Sequence, residues 1–258
     1  MHKTILVTLV AGVSLLAQTP PPAPAKKTAT ATAKKPATPT YNRALLNPAL
    51  LKAKAPDVYK ATFTTTKGDF VIEVHRDWAP NGADRFYNLV KNGYFTDVSF
   101  FRAISGFMVQ FGISPSPAIT KAWHATNLKD DPVKEHNQRG YVTFAMTSQP
   151  NSRTTQMFIN LADNSRLDPS GFAPIGTVAE GMDVVDKLYT GYGEGAPGGA
   201  GPDQQKITEE GKPYLDKNFP QLDGVKSAKI TFPVVAPAAR PAVKKPATAT
   251  STAKPAAK

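Results

Sequence analysis

The sequence predicts a mainly β fold: a closed, antiparallel, eight-stranded barrel capped by two α-helices, with disordered tails at both ends. Three observations carry that prediction. Eight short runs with strand character are spread over residues 58–234. Only two segments show clear helical spacing, and they do not alternate with the strands as a parallel βαβ sheet requires. Residues 26–40 and 236–258 are built from Ala, Pro, Thr and Lys with almost nothing large and apolar. Such segments cannot bury enough surface to offset the ordering of their backbone.

In chain order, residues 58–66 (VYKATFTTT) alternate and are rich in Thr and aromatics, 67–69 (KGD) form a turn, and 70–75 (FVIEVH) alternate again. This is a hairpin. His75 is in phase with the polar positions and is predicted to point outward. Residues 79–95 (APNGADRFYNLVKNGYF) place Phe86, Leu89, Val90 and Tyr94 at helical spacing, with Asn92-Gly93 as a C-terminal stop. Residues 98–101, 107–111, 141–147, 156–161 and 174–178 read as further strands. A second helix follows at 182–189, and 229–234 (KITFPV) reads as the closing strand. Residues 191–202 (GYGEGAPGGAGP) read as a mobile loop, since no strand leads into it and no helix follows at the spacing a nucleotide-binding loop needs. Residues 203–218 add a short helix.

The chain carries a net charge of +11; thirteen positive charges and no acidic residue fall in residues 1–56 and 236–258, which leaves the middle at −2. The high charge therefore belongs to the tails, and nothing supports nucleic-acid binding by the folded domain. The tails read either as solubilising spacers or as weak contacts with anionic surfaces. The first residues, MHKTILVTLVAGVSLLAQ, join a short positive start to an apolar run too short for a comfortable membrane span. The expected organisation is a signal peptide at 1–17, a disordered Ala/Pro/Lys/Thr-rich linker at 18–56, a folded domain at 57–235 and a disordered basic tail at 236–258. An uncleaved N-terminal anchor is the alternative for the first segment. Export, to the periplasm of a bacterium or beyond it, follows from this reading, and a monomer is the default state.

The chain has no Cys, which removes disulfides, thiolate catalysis and thiolate metal sites. The four histidines (His2, His75, His124, His136) form no His-Glu-x-x-His pair; no Asp-rich calcium loop and no Gly-x-Ser-x-Gly elbow is present. No metal or cofactor is expected. What remains is residues 100–112, FFRAISGFMVQFG, where Arg102 and Gln110 stand among large apolar residues. A guanidinium beside Phe and Met is costly to dehydrate unless something uses its donors. The plainer alternative is a core strand whose Arg snorkels to solvent.

Three ordered segments resemble the cyclophilin family of peptidyl-prolyl cis/trans isomerases: FFRAISGFMVQFG, GYVTFAMTSQPNSRTTQMFINL from Gly140, and FAPIGTVAEGMDVVDKL from Phe172. The resemblance covers roughly residues 59–188 and the last strand. It implies a cyclophilin-like barrel that rotates Xaa-Pro bonds in proline-containing polypeptides and assists the folding of exported proteins. The rival is a non-catalytic proline-peptide-binding or holdase module on the same fold. By resemblance Arg102 is the catalytic residue, Gln110 bonds the substrate backbone and Gln156 supports Arg102. Phe107, Met108, Phe158 and Leu167 line the proline pocket, and backbone groups around Met146 and Thr147 pair with the extended peptide. The sequence departs from well-known members at three points. Arg166 stands where many carry Trp, Phe172 where many carry His, and Met146-Thr147 replaces Ala-Asn. Phe172 keeps an apolar pocket wall, and Arg166 implies weak inhibition by cyclosporin.

Overall fold

A computed structural model describes residues 41–233. The predicted signal peptide, residues 18–40 of the predicted linker and the basic tail 236–258 lie outside the described residues. The strands are β1 (Val58–Thr65), β2 (Asp69–His75), β3 (Arg102–Ile104), β4 (Met108–Phe111), β5 (Tyr141–Phe144), β6 (Met157–Asn160), β7 (Pro174–Glu180) and β8 (Val225–Pro233). They form one sheet in the order β3-β4-β6-β5-β7-β2-β1-β8, antiparallel throughout.

The eight antiparallel strands are as expected, but the closed barrel is overstated. Among the described residues no ladder joins the edges β3 and β8, and the sheet is a curled half-barrel. The seam is crossed at the isolated bridge Ser99↔Gly224, with hydrogen bonds from Phe100 N to Asp223 O, from Val225 N to Val98 O and from Asp97 N to Val225 O. Residues 98–101, predicted as a strand, serve as this seam, and the strand begins at Arg102. The apolar run continues across both segments, so composition alone does not separate them.

Alternation in β1 and β2 sends Tyr59, Ala61, Phe63, Phe70, Ile72 and Val74 inward, and their polar neighbours outward. His75 faces out as predicted, stacked on Trp78, and Glu73 faces out on the same side. Phe63 lies at the centre of the core, with ring centroids 5.1 Å from Phe70, 5.4 Å from Phe95, 6.0 Å from Phe86 and 6.1 Å from Phe111. Helix α1 (Pro80–Lys91) supplies Phe86 and Leu89 to this core. Proline occupies its first turn, where no backbone N–H is needed. Its N-terminus has no side-chain cap of its own; Asp131 accepts the N–H groups of Asn81 and Gly82 instead. Asn92 and Gly93, at φ +73°, end it where the sequence indicated.

Among the described residues the expected helices are present as α1, as α3 (Met182–Asp186), and in the 203–218 segment as two short helices, α4 (Gln204–Glu210) and α5 (Lys212–Asn218), instead of one; α2 (Pro117–His124) is an addition. At eight residues α2 is too short for helical periodicity to stand out, and it begins on Pro117. Ile207 and Leu215 of α4 and α5 bury a second small cluster with Phe101 and Ile113 behind β3 and β4.

The linker boundary at residue 57 also needs correction. Residues 41–56 form a docked strap with two 3₁₀ turns, Arg43–Leu46 and Pro48–Leu50. Leu45 is fully buried, and its carbonyl accepts the Trp123 indole N–H at 2.9 Å. Asn88 of α1 bonds both backbone groups of Ala53, and Asp84 accepts the Ala55 N–H at 2.8 Å. Tyr41 and Leu51 also pack against the core, and the four leucines of residues 41–56 set the strap apart from residues 18–40, which have none.

Candidate active site

The registers of β3, β4, β6 and β5 divide their side chains between two faces. Ala103, Val109, Ile159 and Val142 share a rung facing the core. Arg102, Gln110, Phe158 and Thr143 share the next rung and face the other way. An arginine, a glutamine and a phenylalanine far apart in sequence therefore stand side by side on the outer wall. Gly112, at φ +105°, closes the arrangement: a Cβ there would lie 2.3 Å from the Thr155 carbonyl oxygen. This close approach brings Gln156 beside Gln110.

A hydrogen-bonded chain runs along that wall. Gln110 Nε2 donates to Gln156 Oε1 at 2.8 Å, and Arg102 Nη1 donates to Gln110 Oε1 at 3.0 Å. Gln156 thus supports Arg102 through Gln110, which is itself buried. The opposite edge of the guanidinium is held by Glu194: Nε and Nη2 each donate to one carboxylate oxygen at 2.6 Å. The Arg102 hydrogen bonds hold the Glu194 carboxyl below the usual carboxylate range, against partial desolvation.

Beside this chain opens a cavity of about 610 Å³, lined by all ten residues singled out from the sequence. That volume suits a small peptide segment. Phe107, Met108, Phe158, Leu167 and Phe172 give it an apolar end, with Phe158 and Phe172 edge to face at 5.7 Å. Arg102, Gln110 and Gln156 give it a polar wall, and Met146 and Thr147 form part of the rim. The Thr147 N–H already donates to Ser152 Oγ at 2.9 Å, so that group is engaged within its own loop. Arg166 lies with its guanidinium 4.8 Å from the centre of the Phe107 ring, and Arg102 lies 5.9 Å from the same ring. Phe107 is the apolar neighbour of two cations.

Sequence reasoning missed His124, Asn127, Ser152, Thr154 and Gln204, which also line the cavity. Ser152 and Thr154 lie inside the second motif segment but were not singled out, whereas His124, Asn127 and Gln204 come from α2, the segment after it and the start of α4, outside all three motifs. It also missed Glu194. The only signal was a single acid among the glycines of 191–202, the segment read as a mobile loop. That segment is instead hydrogen-bonded to itself, with Gly201 N–H on Glu194 O at 2.8 Å and Gly199 N–H on Gly195 O at 3.0 Å.

The family described as cyclophilin type peptidyl-prolyl cis-trans isomerase/CLD matches residues 60–209. A peptidyl-prolyl cis-trans isomerase of Acinetobacter baylyi is 39% identical over 128 residues, covering 48% of this chain and 68% of that protein. The peptidyl-prolyl cis-trans isomerase B of Escherichia coli is 35% identical over 140 residues, covering 49% of this chain and 82% of that protein. A crystal structure of a cyclophilin type isomerase from Cryptosporidium parvum is similar with a TM-score of 0.50 at 18% identity, over 68% of this chain and 98% of that one, a likeness of fold.

Proposed function

The chain belongs to the cyclophilin-type peptidyl-prolyl cis-trans isomerase family and is an isomerase of Xaa-Pro bonds; we propose that it does this chemistry with Arg102 as the donor, in the cavity on the outer wall of the sheet, on proteins exported from a bacterial cell. The observation that carries the assignment of the site is the single rung on which Arg102 and Gln110 stand next to Phe158, at the boundary between polar wall and apolar pocket.

The physical task is to turn a bond that resists turning. Resonance gives the peptide bond a rotation barrier of about 18–20 kcal/mol. A barrier of about 20 kcal/mol corresponds to a rate on the order of 0.01 per second, in line with the slow isomerisation of free Xaa-Pro bonds. No bond breaks and no nucleophile is needed. The site must bind the twisted amide better than the planar one. In the proposed complex, Phe107, Met108, Phe158, Leu167 and Phe172 hold the proline ring and exclude water. Rotation localises the lone pair on the prolyl nitrogen, which then accepts a hydrogen bond that the planar amide accepts poorly. Arg102 supplies that bond beside apolar walls, where the surrounding dielectric strengthens it. Gln110 retains an Nε2 proton and an Oε1 lone pair beyond its two bonds, which suits it to the peptide backbone.

The magnitudes show that Arg102 does not act alone. Five decades of acceleration require about 7 kcal/mol. One charge-assisted hydrogen bond supplies about 1.5–3 kcal/mol. Ring burial and fixation of the flanking backbone must supply the remainder, which is why the rim at Met146 and Thr147 belongs to the site. The test is refolding of a protein whose slow phase is limited by a prolyl bond. Substoichiometric amounts of this chain should accelerate the slow phase with turnover. Protection from aggregation without any change in that phase would instead establish the holdase reading. Export is supported by the apolar run after Lys3; in a bacterial host, deleting residues 1–17 should move the protein from the periplasmic or secreted fraction into the cytoplasm, and an unchanged distribution would refute export.

A further inference from the structure

Residues 191–202 leave the end of α3, pass along the free edge of β3 and return to α4. Gly193 forms a bridge with Ala103, the neighbour of Arg102 in β3. Tyr192 anchors the loop, edge-on to Tyr189 at 5.0 Å and to Phe219 at 5.1 Å, with its hydroxyl accepting the Gln221 N–H at 3.3 Å. Between these anchors the chain folds around Glu194. The Glu194 carbonyl accepts the Gly201 N–H, and Oε1 accepts the Gly195 N–H at 2.9 Å. A Cβ at Gly199 would lie 2.4 Å from the Glu194 carbonyl oxygen and 2.8 Å from its Cβ; one at Gly201 would lie 2.7 Å from the same oxygen. The glycines are required because backbone packs against backbone at this one acidic residue.

The Glu194 side chain is 43% exposed, yet both its oxygens are committed to Arg102. A surface carboxylate gains little from such a pair and loses rotamer freedom, so the loop must hold it in place. The consequence falls on the arginine. Arg102 is a long side chain on a three-residue edge strand, and Gln110 alone fixes only Nη1. A bidentate carboxylate on Nε and Nη2 fixes the plane of the guanidinium as well. Nη1 keeps a second proton, contested only by Met108 Sδ at 3.8 Å on the cavity wall.

We infer that Glu194 is a positioning residue: the glycine-rich loop clamps the Nε/Nη2 edge of Arg102 so that the Nη1 edge stays aimed at the rotating Xaa-Pro bond. This rests on Arg102 being the donor proposed above. The carboxylate also weakens the field of the cation in the cavity. Water at a half-exposed oxygen screens that field, whereas orientation is not screened, so positioning outweighs neutralisation.

The test compares the full-length wild type with Glu194→Gln, Gly199→Ala and Arg102→Ala. Exchange NMR on a short Xaa-Pro peptide gives kcat and KM, and the Arg102 Nε–H resonance reports the clamp. Glu194→Gln keeps side-chain volume and the loop's backbone bonds; Gly199→Ala displaces Glu194 without altering its chemistry. Both should lower kcat about tenfold with KM changed less than about twofold, and both should move the Arg102 Nε–H resonance upfield. Unchanged or faster turnover in Glu194→Gln, while Arg102→Ala loses activity, overturns this inference alone. Wild-type turnover retained in Arg102→Ala overturns the assignment of Arg102 and the clamp with it. An unmoved Nε–H resonance in Glu194→Gln overturns the clamp whatever the kinetics.

Discussion

Replacing Leu45 by alanine tests the docked strap that lies outside the sequence-based domain boundary. Leu45 has no exposed surface and sits in the main core with Trp123 and Leu89. The substitution removes about three methyl or methylene groups, worth about 2.4 kcal/mol of transfer free energy at about 0.8 kcal/mol each. The cavity left behind adds to this, and such changes cost about 2–5 kcal/mol in compact cores. The Trp123 bond is to the Leu45 carbonyl and survives the change. The expected loss is therefore about 3 kcal/mol. With a urea m-value of about 2.5 kcal/mol/M, the midpoint should fall by about 1.2 M with an unchanged slope. The control is Leu50→Ala, since Leu50 is 73% exposed in the same strap and should cost less than about 0.5 kcal/mol. Equal effects of the two substitutions, or a loss below about 1 kcal/mol for Leu45→Ala, would refute the docking of residues 41–56.

Further expectations bear on the cavity and on acid stability. Phe158→Ala removes the aromatic partner of Phe172 and should raise KM for an Xaa-Pro peptide at least about tenfold while costing about 3 kcal/mol of stability, read by steady-state kinetics and urea unfolding. Gln156→Leu leaves Gln110 Nε2 without its acceptor and should lower kcat about three- to tenfold with little change in KM; an equal rise in KM would mean that Gln156 contacts substrate directly. Burial raises the Asp84 pKa, but the hydrogen bonds from Arg76 and from the Ala55 N–H outweigh it and leave the group lowered. A folded-state pKa below the unfolded one gives stability that is fully present above the usual carboxylate range and is lost as pH falls through the folded value. Asp84→Asn should therefore flatten the stability profile below about pH 4, and an unaltered acid limb would contradict this.

The parts of the fold that the sequence reveals are those where one pattern decides. The β1–β2 hairpin is legible because alternation and the Lys67-Gly68 turn agree, and α1 because its apolar spacing ends at Asn92-Gly93. Nine of the ten candidate residues lie in three motif segments, with Leu167 between the second and third, and the fold brings all ten to one cavity whose wall is built on β3, β4 and β6. The remainder depends on tertiary context. Leu45 is one of four leucines in residues 41–56 with no periodic pattern, and the surface offered by Trp123 and α1 gives it somewhere to dock. Helix α2 is short and proline-led, so His124 and its neighbours carried no periodic signal. Glu194 was hidden because glycine-rich composition suggests freedom. Here the glycines instead permit a tight fold around one carboxylate, a constraint visible only when the distances to Gly199 and Gly201 are known. The open seam was missed for a related reason: residues 98–101 have strand composition, but they meet 223–225 in one isolated bridge and a few hydrogen bonds and form no ladder.

The most direct test of the central claim is the rate of cis/trans exchange in a short Xaa-Pro peptide, measured by NMR with wild type and with Arg102→Ala at equal concentration. Loss of one charge-assisted bond of about 1.5–3 kcal/mol predicts a fall of about one to two decades in the catalysed rate, with peptide binding largely retained. A catalysed rate in Arg102→Ala within about threefold of wild type would contradict the account, because the differential bond to the twisted amide would then come from elsewhere in the cavity.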